Sequence, residues 1–125
     1  MTGPRILVIE EHPVLRSGYE QALRDEGYEV LSAGTTRGLV ELARQSCPDC
    51  VVIDPDSDGG NGMTAALRLL EEGLLASLVF NTSRPYSMES DFTTWVADAY
   101  AVRSQGVEGL LRAVQQALPR AVANS

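Results

Sequence analysis

The chain has 125 residues, 44% of them hydrophobic, and carries a formal net charge of −7. That length suits a single domain, and the apolar content excludes a generally disordered chain. No run approaches the roughly 18 apolar residues of a membrane span, and an acidic chain without a basic block is a poor binder of nucleic-acid phosphates.

Near the N-terminus, Arg5-Ile6-Leu7-Val8-Ile9-Glu10 is too short and too soon acidic for a secretion signal, so a cytoplasmic protein is expected. The four apolar residues 6–9 form a continuous run, the mark of a strand covered on both faces. Pro13 suits a first helical turn. Val14, Leu15, Gly18, Tyr19, Ala22 and Leu23 recur at helical spacing, and Gly27 is placed to end that helix. Residues 28–32 read as a second strand. Thr35 or Thr36 is expected to cap a second helix carrying Leu39, Val40, Leu42 and Ala43, which Pro48 stops. Residues 50–53 read as the third strand. An Asp- and Gly-rich loop over 54–62 follows, then a third helix marked by Met63, Ala66, Leu67 and Leu70.

Residues 75–80 read as a fourth strand, with Asn81-Thr82-Ser83 at its end. Between 84 and 97, Phe92, Trp95 and Val96 suggest a short helix, although Thr93-Thr94 is a poor helix former. Residues 99–102 read as the fifth strand. Val107, Leu110, Leu111, Val114 and Leu118 define a last amphipathic helix, and residues 119–125 are expected to fray. The expected domain covers 1–120, with a tail over 121–125. Five strands alternating with five helices predict an α/β fold: a doubly wound parallel sheet with helices on both faces. In such folds the ligand site lies beyond the carboxyl ends of the strands.

Those ends carry Glu10-Glu11, Asp54 with Asp56 and Asp58 behind it, Thr82-Ser83, and Arg103. Carboxylates gathered in one place repel unless a cation neutralises them. All-oxygen ligation suits Mg²⁺. A carboxylate beside Mg²⁺ can act as nucleophile toward a phosphoryl group, with a hydroxyl and a cation holding the phosphoryl oxygens. Asp54-x-Asp56-x-Asp58-Gly59 also fits the opening of a calcium loop. The twelfth position of such a loop needs a bidentate Glu and here is Ala65. Asp54-x-Asp56 after an apolar strand is also similar to haloacid-dehalogenase-type phosphatases, which need a longer chain. Cys47-Pro48-Asp49-Cys50 precedes a strand rather than a helix, the reverse of a thioredoxin-like motif, and reads as two ordinary thiols.

Nearly the whole sequence resembles the receiver domain of bacterial two-component response regulators. Residues 6–16 (ILVIEEHPVLR) look like the family's first strand with its acidic pair, and residues 46–54 (SCPDCVVID) like the segment leading to its phospho-accepting aspartate. Gly62 lies where the family has a glycine, Thr82 matches its switch hydroxyl, and residues 98–104 (DAYAVRS) resemble its fifth strand with an aromatic, here Tyr100. The resemblance implies strand order 2-1-3-4-5 and a phosphoryl group taken by Asp54 from a histidine kinase. It implies Mg²⁺ ligated by Glu11, Asp54 and the Asp56 carbonyl, with Glu10 acting through water. It further implies phosphoryl contacts from Thr82 and Arg103, and a switch of Thr82 and Tyr100 that alters a partner-binding surface. That surface, spanning the expected helix of 84–97, the fifth strand and the last helix, would meet an output domain or protein, or a second copy of the chain. The sequence departs from the family at Arg103, usually lysine, in a chain without any lysine. It departs also at Glu11, usually aspartate, at Ser57-Asp58, and at Val96. The alternative is a degenerate receiver that docks partners without being phosphorylated.

Overall fold

The computed structural model describes residues 3–83 and 97–118. Five strands run in chain order as β1 (Arg5–Ile9), β2 (Glu29–Ala33), β3 (Cys50–Ile53), β4 (Leu78–Thr82) and β5 (Ala99–Val102). They form one parallel sheet in the order β2-β1-β3-β4-β5. The described helices are α1 (Pro13–Asp25), α2 (Leu39–Ser46), α3 (Ser57–Glu71) and α4 (Gly106–Ala117). The helix expected between 84 and 97 and the fraying expected over 119–125 lie outside the described residues.

Alternation along the strands builds two cores. Ile6 and Val8 of β1, Val52 of β3 and Val79 of β4 pack with Tyr19 and Leu23 of α1 and Leu110 and Val114 of α4. Their neighbours Leu7, Ile9, Val51, Ile53 and Phe80 point the other way, against Leu39 of α2 and Ala66 and Leu69 of α3. This two-sided cover is why the strands are continuous apolar runs rather than alternating ones. Each fully buried Leu, Ile or Phe contributes about 1.5–3 kcal/mol of transfer free energy, so the sheet is a rigid platform for whatever lies at its ends.

Three local expectations are corrected. No threonine side chain caps α2: Gly38, left-handed at φ 75°, holds the N-cap position. Thr35 Oγ1 instead accepts the Arg37 amide at 3.1 Å, and Thr36 Oγ1 donates to Asp58 at 3.2 Å. β4 begins later than expected and runs to Thr82. Leu74 and Leu75 only lean on the core from the turn after α3, whereas Asn81 and Thr82 are buried inside the sheet. Finally, α3 begins inside the expected loop. Its first turn is broken by three successive left-handed residues, Asp58, Gly59 and Gly60, at φ 52°, 67° and 100°. Two of these are glycines, which adopt that region without a Cβ penalty.

Candidate functional site

The parallel register assembles the site. Val8 pairs with Val52, so Glu10 and Asp54, each two residues further along, lie side by side just past their strands. Ile53 pairs with Phe80 and Thr82 with Val102. Thr82 therefore ends the next strand, and Arg103 follows directly from the one beyond it. Burial sorts these groups: Glu10, Asp54 and Thr82 are 3%, 7% and 0% exposed, whereas Glu11 and Asp56 stand in solvent.

The two buried carboxylates are organised alike. Glu10 Oε2 accepts the His12 amide at 3.1 Å, and Asp54 Oδ1 accepts the Asp56 amide at 2.8 Å. Each turns its other oxygen to a single nitrogen of Arg103, whose Nη2 lies 2.8 Å from Glu10 Oε1 and 3.2 Å from Asp54 Oδ2. Two charges thus share one cation. Burial pushes the Asp54 carboxyl above its ordinary pKa, while the Asp56 amide and the Arg103 guanidinium oppose that rise.

Helix α3 is fastened to the same aspartate. The Ser57 amide and hydroxyl both donate to the Asp54 carbonyl, at 3.1 and 2.8 Å. At Gly62 the helix comes so near that an added Cβ would stand 2.0 Å from that carbonyl oxygen. This close approach is the physical reason for a glycine eight residues after Asp54.

Not every candidate converges. Glu11 lies on the rim of the cleft over Glu10 and Asp54, and the Asp56 carbonyl accepts the Gly60 amide at 3.3 Å. Among the described residues no three His, Cys, Asp or Glu side chains gather as a metal centre would require. Tyr100 sits half-buried on β5, edge-on to Phe80 with ring centroids 5.9 Å apart. Two contributors escaped the sequence reading. One is Ser57, treated there only as a departure. The other is Arg16, whose Nη1 donates to the Glu10 carbonyl at 2.9 Å. The only signal for Arg16 was its place one helical turn into α1.

The donor chemistry does fit a divalent cation, because two buried carboxylates already converge on one positively charged nitrogen. Mg²⁺ typically takes one or two carboxylates and keeps several waters.

Strand order 2-1-3-4-5 with its site at the carboxyl ends defines the flavodoxin-like class of doubly wound domains. Within that class the chain belongs to the response regulator receiver domain family, whose sequence profile matches residues 6–102. It is 28% identical to the transcriptional regulatory protein PdtaR of Mycobacterium tuberculosis over 131 aligned positions, covering 96% of this chain and 64% of that protein. It is 32% identical to the nitrate/nitrite response regulator protein NarL of Escherichia coli over 118 positions, covering 90% of this chain and 53% of NarL. The chain therefore spans only about half to two thirds of these curated relatives.

Among solved structures, the response regulator TrrA of Thermotoga maritima, in complex with Mg²⁺-BeF, superposes with a TM-score of 0.76 at 28% identity, covering 92% of this chain and 97% of TrrA. The chemotaxis response regulator CheY4 of Vibrio cholerae shares the fold, with a TM-score of 0.81 at 20% identity over 91% of this chain and 98% of CheY4. The chain is thus a signalling receiver domain of the two-component type. No helix among the described residues is long and apolar enough to cross a membrane.

Proposed function

We propose that this receiver domain accepts a phosphoryl group on Asp54 from the phosphohistidine of a histidine kinase. An Asp54 carboxylate oxygen forms the new O–P bond. The P–N bond to the histidine breaks, and its electron pair returns to the imidazole nitrogen. The observation that carries the reading is Asp54 itself, a buried carboxylate at a strand end with Oδ1 fixed by the Asp56 amide and Oδ2 facing a cation. Fixing one oxygen orients the other for in-line attack.

Glu10, Asp54 and the Asp56 carbonyl would hold Mg²⁺, with Glu11 reaching in from the rim. When bound, the ion supplies positive charge to the phosphoryl oxygens. Thr82 would donate its hydroxyl to the transferred group, and Arg103 would pair with it. Tyr100, packed on Phe80, would change its rotamer with Thr82 and so alter the surface of β5 and α4. An output domain or protein, or a second copy of this chain, would meet that surface.

The test is incubation with Mg²⁺ and acetyl phosphate, followed by intact-mass measurement. One added phosphoryl group is expected, and Asp54→Asn should abolish it. One observation favours the second reading, a degenerate receiver that binds partners without phosphorylation: the Arg103 guanidinium already occupies the carboxylates that phosphorylation needs. A chain that gains no mass under these conditions, and whose partner binding is unchanged in Asp54→Asn, would support that reading instead.

A further inference from the structure

We propose that Arg103 is a tethered counter-ion which masks the cation site, so that a divalent metal binds only by displacing its guanidinium from Glu10 and Asp54. This rests on the reading of Glu10 and Asp54 as cation ligands, and it adds a competition within the chain that Mg²⁺ must overcome.

Three observations carry it. First, one nitrogen, Nη2, contacts both carboxylates, at 2.8 and 3.2 Å. A single cation therefore already sits where the two acids converge. Second, the cleft lined by Glu10, Glu11, Asp54 and Arg103 has no water-sized space left in it. Room between the two acids for an ion with its remaining waters is gained when the guanidinium moves away. Third, the Arg103 Nε is buried and has no hydrogen-bond partner among the described residues. The side chain thus gives up one donor, at a cost, to place its terminal nitrogen between the acids. That placement follows the carboxylate pair rather than the needs of its own stem.

The device is specific to arginine. A lysine ammonium nitrogen would end where the arginine Cζ lies, one C–N bond or about 1.3 Å short of Nη2. From the same backbone it would lose the close approach to Glu10. The guanidinium is also more weakly hydrated than an ammonium and less costly to bring into a half-buried cleft. Arg103 starts from a short 3₁₀ turn, Arg103–Gln105, directly after β5, so rotation about its own side-chain bonds is enough to release the acids.

The test titrates MgCl₂ into the intact chain by calorimetry at fixed ionic strength, for wild type, Arg103→Gln and Arg103→Lys. Amide spectra report that each variant is folded. Mn²⁺ broadening of the amide signals of residues 10, 54 and 56 reports where the ion sits. Masking predicts Mg²⁺ affinity at least about tenfold higher in Arg103→Gln. It also predicts a rise of a few-fold in Arg103→Lys, which keeps the charge but loses the bridge.

Equal affinity in wild type and Arg103→Lys would reduce the effect to net charge and overturn the proposal. So would unchanged or absent Mg²⁺ binding in folded Arg103→Gln. Because the readout is metal binding, failure of the phosphoacceptor reading is separable. A chain that shows the arginine-dependent metal response but gains no phosphoryl mass keeps this inference and loses that one.

Discussion

Gly62→Ala sets two effects of known sign against each other. In an ordinary helix interior the change is favourable by about 1 kcal/mol, because alanine loses less backbone entropy than glycine. Gly18 on the exposed side of α1 is such a case: an added Cβ there meets nothing within 4 Å. At Gly62 the same Cβ would stand 2.0 Å from the Asp54 carbonyl oxygen and 2.7 Å from Ser57 Oγ. Ordinary contact needs about 3.5 Å, so the start of α3 must retreat by roughly 1.5 Å or the β3–α3 connection must distort. Forced repacking of that size costs about 1–3 kcal/mol and strains the two Ser57 bonds to the Asp54 carbonyl.

The expected outcome is a pair of opposite shifts in urea unfolding. Gly18→Ala should stabilise by up to about 1 kcal/mol, and Gly62→Ala should destabilise by about 1–2 kcal/mol net. In melting temperature each kcal/mol is worth about 4 °C at this size. The second variant should also be slower to gain phosphoryl mass from acetyl phosphate, since the loop carrying Asp56 moves with α3. If Gly62→Ala were as stable as Gly18→Ala and phosphorylated normally, the close approach of α3 to Asp54 would not exist in solution.

Three further outcomes are expected. Burial raises the Asp54 pKa above its ordinary 3.8, so the folded state binds this proton more tightly than the unfolded chain does. Its ionisation therefore weakens the fold as pH rises from about 4 through the raised value. Asp54→Asn should be the more stable protein near neutrality by urea midpoint, with the advantage shrinking as pH falls toward 4. An advantage independent of pH would refute the assignment. Among the thiols, Cys47 is exposed, whereas burial pushes the Cys50 thiol to about 12. Ellman's reagent should titrate one thiol in the native chain and two in denaturant, and two fast native thiols would be the contrary result. For the loop, Thr36→Val removes the donor to Asp58 at an exposed site, so stability should change by less than about 0.5 kcal/mol. A larger loss would mean that this contact holds the β3–α3 connection in place.

Much of the architecture was legible because the signals were local. Continuous apolar runs at 6–9 and 50–53 mark strands buried on both faces, and Pro13 and Gly27 bracket α1. β4 was misplaced because Leu74-Leu75 and Leu78–Phe80 are equally apolar, and only packing decides which of them joins the sheet. The cap of α2 was misassigned because Thr35 and Thr36 spend their hydroxyls on a turn and on a residue 22 positions away.

At the site, the amino-acid sequence by itself determined which chemical groups stand at the strand ends, since a parallel sheet delivers the residues at and just past the end of each strand to the same edge. Glu10, Asp54, Thr82 and Arg103 follow from that rule alone. Only the tertiary structure decided how they are paired. The register sets Glu10 beside Asp54, burial leaves Glu11 outside, and the length of one arginine side chain lets it reach two acids at once. These are distances between segments far apart in the chain, 93 residues for Arg103 and Glu10, and no local pattern encodes them.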